Sequence, residues 1–443
     1  MYLRASLKQS MAVVLALAGM APAQTDPGVR NGAADAGGAI AGLTERENKF
    51  FDAGQDQFVQ IQSVTGSIPG TESGLGPRFN SNSCASCHAF PSVGGTSPLT
   101  NPQVAAGSHA QVNVLLLLNI ISNLGPVREV RFKSDGGVHD LFTIAGRSDT
   151  PPGCVISQPD FATHMGTGDV IFRIPTPVFG TGLIEAISDS TIAANEAAAK
   201  PFGIAGHANR SGNDGTITRL GWKAQNKSLL IFAGEAYNVE QGVTNELFPD
   251  ERGEGGVQDP LACRTVPAAQ DHTHYEETHP RKVPSDVVSF GNFMRFLAPP
   301  AAVASYDHVS AASVNNGRMQ FESVGCAACH KPAMPSGNHD TVALANKTVH
   351  LFSDLLVHNM GALGDGIAQG NAGPNEFRTA PLWGLGQRVF LLHDGRTSDL
   401  NAAIQAHAAG GSDAGSEAKT VINNFNGLSA GHKQDLLNFL RSL

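Results

Sequence analysis

The sequence predicts a mainly α-helical protein of two domains, with long loops and a few short strands. A Cys-X-X-Cys-His pattern occurs twice, at Cys84–His88 and at Cys326–His330. Helical periodicity precedes the second copy and also closes the chain, and the pair Pro299–Pro300 lies between the two copies. With 443 residues, 41% of them hydrophobic, the chain is long enough to bury more than one core.

Residues 1–23 are predicted to be an export signal. Arg4 and Lys8 supply a positive start, Met11–Met20 is a short apolar run, and the small residues before Ala23 suit a signal peptidase. The less favoured alternative is a membrane anchor, because the apolar run is shorter than the ~20 residues that a spanning helix needs. We therefore expect cleavage after Ala23 and a mature periplasmic protein without a membrane span.

The formal net charge is −9 and no basic stripe occurs along the chain. This pattern argues against nucleic acid as a partner. An acidic surface could suit a basic electron-donor protein.

The repeated cysteine pattern predicts covalent haem attachment. Each cysteine sulfur bonds to one vinyl group of haem, and the histidine that follows becomes a ligand of the iron. A zinc site would need its four ligands in one module, and a redox-active cysteine pair would not need histidine twice at the same place. We therefore expect two covalently bound c-type haems, held by Cys84, Cys87 and His88 and by Cys326, Cys329 and His330.

The expected N-terminal haem domain covers residues 44–300 and follows a Gly- and Ala-rich flexible leader, residues 24–43. A capping box at Thr44 opens a helix that carries Phe51 and Phe58 on one face. Further along, Val170–Ile174 is predicted to be a short strand, and Ser188–Ala199 a helix with Ser188 as a candidate N-cap; Ser228–Ala236 is a second apolar segment.

The expected C-terminal domain covers residues 301–443. A candidate helix, Ser310–Val324, leads into Cys326, and Ala430–Leu443 has leucines at helical spacing. Two helices that pack together and hold a haem between them are typical of a small cytochrome c domain. The predicted fold class is therefore mainly α, with two cytochrome c-like haem domains.

The second iron ligand decides what each haem can do, since a haem with an open face can bind peroxide or oxygen. For the C-terminal haem, His407 is the first candidate, because it ends the predicted helix Asn401–His407 after a Gly turn, and Met360 is the alternative. For the N-terminal haem we expect an open face. His139 and His164 are more simply explained as structural or surface histidines.

Three other groups of residues are candidates for a role. Glu185 has apolar neighbours, which would raise its pKa and suit a proton shuttle, although an ordinary salt-bridged glutamate is equally consistent with the sequence. Cys154 and Cys263 remain as a candidate disulfide, or as two unrelated thiols. The histidine-rich run Asp271–His279 is more consistent with an exposed loop than with a metal site.

Longer motifs resemble the bacterial di-haem oxidoreductases, a family described as peroxidases or thiol oxidoreductases and related to the di-haem cytochrome c peroxidases. The likeness spans about residues 45–443. The motifs are Gly76–Asn80, Gly94–Thr96, Arg173–Gly180, Gly221–Lys227 and Arg378–Gly386.

The resemblance implies an N-terminal active haem and a C-terminal electron-transfer haem, whose second ligand would be His407. It also implies an active-site glutamate after a proline, which Pro177 and Glu185 match with different spacing. Relatives have a tryptophan between the haems. The matching stretch here, Ile144–Arg147, has none; Trp222 or Trp383 could replace it, and each is equally consistent with a core residue.

The leading hypothesis is a periplasmic di-haem enzyme that reduces peroxide at the haem of His88, with Glu185 moving a proton. The haem at His330 and His407 would receive electrons from a small cytochrome or similar donor. The alternatives are a pure electron carrier, and a di-haem oxygenase or protein-modifying oxidase that uses O2. Some relatives bind calcium, but the sequence offers no clear ligand set.

Overall fold

The computed structural model describes residues 24–253, 259–263, 269–408 and 415–443. The predicted export signal lies outside these residues. The helices are α1 (Glu45–Val59), α2 (Cys84–Cys87), α3 (His109–Leu117), α4 (Phe161–Gly166), α5 (Thr181–Glu185), α6 (Asp189–Ala197), α7 (Leu229–Gln241), α8 (Asp286–Phe296), α9 (Ala311–Val324), α10 (Leu400–Ala406), α11 (Lys419–Gly427) and α12 (Ala430–Ser442). The strands are β1 (Gln62–Ser63), β2 (Glu72–Ser73), β3 (Arg78–Phe79), β4 (Glu129–Phe132), β5 (Val138–His139), β6 (Phe142–Thr143), β7 (Val170–Arg173), β8 (Met334–Pro335), β9 (Thr348–Val349), β10 (Val357–Asn359) and β11 (Glu376–Arg378).

This composition confirms the prediction of a helix-rich chain with few short strands. The local signals also locate several elements. Thr44 forms a reciprocal capping box with Glu47 at the start of α1. Ser188 and Ser310 cap α6 and α9. Among the described helices, none is both long and apolar enough to cross a membrane.

The helix before each cysteine motif packs on a second helix across a glycine. Gly54 brings α1 against α8, and a Cβ atom there would overlap the carbonyl oxygen of Ser289. Gly317 brings α9 against α12, where a Cβ atom would overlap the carbonyl oxygen of Asp435. Because only hydrogen fits at these two contacts, the helix pairs approach closely at both places.

The largest sheet has three antiparallel strands in the order β5-β4-β7. Glu129 of β4 lies opposite Arg173 of β7, and Arg131 is two residues farther along β4. Since alternate residues share a face of a strand, Glu129 and Arg131 project to the same side.

Packing does not divide at Pro299–Pro300. The largest hydrophobic core joins residues between Phe51 and Leu297 to residues between Met334 and Leu356. An ion pair between the buried side chains of Arg173 and Asp365 also crosses the proposed boundary, at 2.6 Å. These contacts join the two segments, and the division into domains at residues 44–300 and 301–443 stays a prediction.

The predicted flexible leader is instead held against the C-terminal part of the chain. The Asp26 carboxylate accepts hydrogen bonds from both Nε and Nη2 of Arg441, at 2.8 and 2.7 Å. The Arg30 amide donates to the carbonyl of Gly386 at 2.8 Å. A Gly- and Ala-rich composition predicts flexibility, whereas these contacts tie the start of the segment to the C-terminal part of the chain.

Cys154 and Cys263 form a disulfide, which confirms their predicted pairing. The bond connects positions 109 residues apart in the sequence. It ties the short 3-10 helix Leu261–Cys263 to the core that contains β3, β4 and β6.

Candidate functional site

The N-terminal cysteine motif borders a cavity. Cys84 and Cys87 form the single-turn helix α2, and His88 follows as its C-cap. The ring of Phe58, at the end of α1, contacts the His88 ring edge-on, with centroids 6.0 Å apart. We call this space, lined by Cys84, Cys87 and His88, the N cavity.

The second motif borders another cavity. Helix α9 ends at Gly325, whose positive φ of 106° turns the chain directly into Cys326. Phe321 of α9 lies near His330, with ring centroids 6.5 Å apart. We call this space, lined by Cys326, Cys329 and His330, the C cavity.

Three histidines have one ring nitrogen fixed by the backbone. Nδ1 of His88 donates to the carbonyl of Gly95 at 3.0 Å, and Nδ1 of His330 to that of Phe352 at 3.1 Å. Burial lowers the pKa of both histidines to about 4. Each ring is therefore neutral near pH 7 and keeps an Nε2 lone pair, as a metal ligand requires.

His407 is the third. Its Nδ1 donates to the carbonyl of Ala403 at 2.8 Å, and burial lowers its pKa. The rings of His407 and His330 lie with centroids 6.5 Å apart. Two imidazoles that bind one metal ion at about 2.0 Å from each nitrogen have centroids roughly 6 Å apart, so this pair fits a shared iron. Met360, the alternative ligand, also lines the C cavity.

The remaining lining of the C cavity is largely apolar. Its one carboxylate among the described lining residues is Glu417, which accepts from Nδ1 of His358 at 2.9 Å. Nε2 of His358 donates to Asp354 at 3.0 Å. Burial opposes the charge on His358, but hydrogen bonds to Asp354, Cys329 and Glu417 raise its pKa to about 12. A protonated histidine therefore stands beside the cavity.

The N cavity differs in its charged lining. Three glutamates and three arginines border it: Arg128, Glu129, Arg131, Arg173, Glu235 and Glu240. Glu129 accepts a hydrogen bond from Arg131, and Glu235 accepts one from Asn226 at 2.5 Å. The Glu240 carboxyl forms no side-chain hydrogen bond with another described residue.

Glu240 is the carboxyl best suited to carry a proton. Burial raises its pKa to about 8, and the nearby charge of Glu129 adds to the effect. The group is therefore mostly protonated at neutral pH. Sequence reasoning missed Glu240, although a glutamate pair on α7, a helix that begins with an apolar run, is a usable signal.

No described contact links Glu185 to His88, so its role as a proton shuttle there stays a prediction. Glu185 is not among the residues that line the N cavity. One carboxylate oxygen accepts from the Leu229 amide at 2.8 Å, at the start of α7, and the other from Nε of Arg295 at 2.9 Å. The ordinary salt-bridged alternative describes this residue better, because both oxygens are committed elsewhere.

Trp222 lines both cavities, whereas Trp383 lines neither; both tryptophans line a smaller space beside them. The indole nitrogen of Trp222 donates to the Ile174 carbonyl at 2.9 Å. Its ring meets the ring of His393 at 6.4 Å, nearly perpendicular. Of the two tryptophans, Trp222 therefore has the position between the sites.

His139 and His164 stack on opposite sides of the Phe132 ring, each with centroids 3.7 Å away. Asp135 and Asp169 accept their hydrogen bonds. Neither histidine lines the N cavity, which agrees with a structural role. Within the described residues, no group of three His, Cys, Asp or Glu side chains could hold a metal ion, and this includes the run Asp271–His279.

Among solved structures, hydrazine synthase from Kuenenia stuttgartiensis matches with a TM-score of 0.36 and 14% sequence identity, over 99% of each chain. A MauG-like protein associated with microbial copper homeostasis matches with a TM-score of 0.25 and 19% identity, over 38% of this chain and 55% of that one. Neither score is high enough to support an argument about function. No curated protein matches the sequence.

The family described as "Di-haem oxidoreductase, putative peroxidase" matches residues 136–443. This range holds the C-terminal cysteine motif, His407, Trp222 and Glu240, and it is well over half of the chain. The protein therefore belongs to the di-haem oxidoreductase family.

Proposed function

We propose that this protein is a periplasmic enzyme that reduces peroxide in the N cavity with electrons passed through the C cavity. The observation that carries this proposal is that the two cavities are lined by different side chains. The C cavity offers a second histidine, His407, opposite His330. The N cavity offers charged acid and base groups around His88.

The residues present fit two haems. Cys84 and Cys87 would hold one through thioether bonds, with His88 as its ligand. Cys326 and Cys329 would hold the other, with His330 and His407 as ligands. Bound haem supplies the redox-active iron, which accepts and passes on electrons and, where a face is open, takes a small ligand.

Glu240 supplies the proton chemistry in this proposal. Reduction of hydrogen peroxide to two waters consumes two electrons and two protons. A protonated Glu240 can donate to the departing oxygen and then be recharged from solvent. Arg131 is held by its ion pair with Glu129 and places a positive charge beside the site. This charge would stabilise the negative charge that develops on oxygen.

Trp222 offers a path for electrons because it is the side chain that borders both cavities. The electrons would come from a small donor protein, such as a cytochrome, that docks near the C cavity. This donor would be a separate protein, because a single chain already carries both the N cavity and the C cavity.

The test uses the holoprotein produced in a host that matures c-type cytochromes. We expect a haem-staining band after denaturation, two porphyrins per chain by mass, one high-spin and one low-spin ferric signal in electron paramagnetic resonance, and one carbon monoxide bound per reduced chain. Two low-spin signals with no carbon monoxide bound would instead identify an electron carrier. A stable oxygen complex without peroxide turnover would favour an oxygenase or protein-modifying oxidase.

A further inference from the structure

Two buried arginines border the C cavity and have no carboxylate partner. Arg378 lies at the end of β11 and Arg388 follows the 3-10 helix Leu385–Gln387. Their residues are 9% and 8% exposed. Among the residues that the structure describes, no Asp or Glu forms an ion pair with either guanidinium group.

The hydrogen bonds of these arginines go to neutral groups, so their positive charges have no negative partner. Nε of Arg378 donates to the carbonyl of Gly221 at 2.9 Å, whereas one of its terminal nitrogens is buried without a partner. The Arg388 guanidinium donates no hydrogen bond to another described residue. Burial lowers the pKa of each to about 10, so both remain charged at neutral pH.

The cavity itself contains no spare anion to balance them. Glu417 lines it, but that carboxylate is engaged by His358. The two guanidinium groups therefore have no free carboxylate among the described lining residues. Buried charges are costly unless an opposite charge pairs with them, so the cavity is built for an anionic group that the polypeptide does not provide.

We infer that Arg378 and Arg388 bind the two propionate groups of the C-terminal haem. This rests on the proposed function, in which that haem is attached at Cys326 and Cys329. The planar guanidinium group matches the geometry of a carboxylate and can donate two parallel hydrogen bonds. Two arginines match two propionates in number and in charge.

The position of this pair places the propionates at the end of the cavity nearest Trp222. The Arg378 amide donates to the Trp222 carbonyl at 2.9 Å, and both arginines also line the small cavity between the two sites. The pair would therefore fix the orientation of the haem. Its positive charge would also favour the reduced form and raise the midpoint potential.

The experiment measures the midpoint potential of the low-spin haem in holoprotein carrying Arg378→Gln, Arg388→Gln, or both. We expect each change to lower the potential and the double change to lower it most, while Arg378→Lys and Arg388→Lys restore most of the loss. Arg318→Gln removes an equal charge from the exposed face of α9 and should leave the potential unchanged. Two porphyrins per chain by mass establish that the variants are loaded.

An unchanged potential in the loaded double variant would overturn the inference without touching the proposed function. A protein with no covalent porphyrin at Cys326 would overturn both. If the glutamine variants fail to fold, the resonance Raman propionate bending band of the unaltered holoprotein decides. A band typical of water-exposed propionates, or a potential that follows the concentration of added chloride or phosphate, would refute propionate binding.

Discussion

The two cavities are built on one plan but lined for different chemistry. In each, a helix carries Gly-X-X-Gln-Phe: the glycine permits close helix packing, and the phenylalanine four residues later contacts the motif histidine. The residues are Gly54 and Phe58 in α1, and Gly317 and Phe321 in α9. Beyond this shared frame, the C cavity presents a second histidine and the N cavity presents carboxyls. In the proposed function, this frame would hold a haem in each cavity, and the lining would decide whether that haem reduces peroxide or passes electrons.

The largest effect is expected from removing Glu240, the protonated carboxyl that lines the N cavity. Glu240→Gln should lower peroxide turnover by about 10²- to 10⁴-fold, because proton transfer by a positioned group contributes that much. Steady-state kinetics with a chemical electron donor measures the change. Glu185→Gln is the matched control and should retain turnover, and the reverse result would restore the assignment made from the sequence.

A smaller effect is expected from pH. The donor form of Glu240 is the protonated one, and its pKa is about 8, so turnover should fall as pH rises through that value. The decline should approach about tenfold per pH unit. The pH profile of kcat in the unaltered protein measures this, and the decline should vanish in Glu240→Gln. An identical decline in that variant would assign it to another group.

The next change would make the C cavity resemble the N cavity. His407→Ala should free one position on the iron, so carbon monoxide binding should rise from one to two per reduced chain. The low-spin ferric signal should become high-spin. Met360→Leu changes the alternative ligand and should alter neither measurement. If only Met360→Leu raises carbon monoxide binding to two per chain, Met360 and not His407 is the second ligand.

The smallest effect on function is expected from the shared frame. Gly54→Ala and Gly317→Ala should each lower the free energy of unfolding by about 1–3 kcal/mol, because the added methyl group meets a backbone carbonyl. Gly431→Ala is the control in α12, where nothing lies within 4 Å, and should gain about 0.5–1 kcal/mol. Urea unfolding measures all three. A loss at only one of the two glycines would show that the packing plan is not shared.

Local chemistry was predictable from the sequence. The serine and threonine caps, the two cysteine motifs and the Cys154–Cys263 pairing all depend on residue types close together in sequence or few in number. The candidate His407 came from its place after a Gly turn, and the structure brings it to His330.

Groups whose role depends on tertiary neighbours were not predictable. Glu185 has apolar neighbours along the chain, but its partner Arg295 comes from a distant helix. Glu240 acquires its raised pKa only in the folded chain, where burial and the charge of Glu129 act on it. The Gly-X-X-Gln-Phe repeat is too short and variable to identify before both helix pairs are seen. The anchoring of the leader depends on Arg441, near the opposite end of the chain.

That anchoring has a practical consequence for labelling and purification. Asp26 is 7% exposed at its side chain and Arg441 is 1% exposed, while the carbonyl of Leu443 accepts a hydrogen bond from Gly386. An affinity tag or fluorophore joined at Asp26 or at Leu443 would therefore be attached to a buried residue and would need a long spacer. A protease cut after Asp26 would release this residue and leave Arg441 without its counterion. A fall in melting temperature would therefore detect such cleavage.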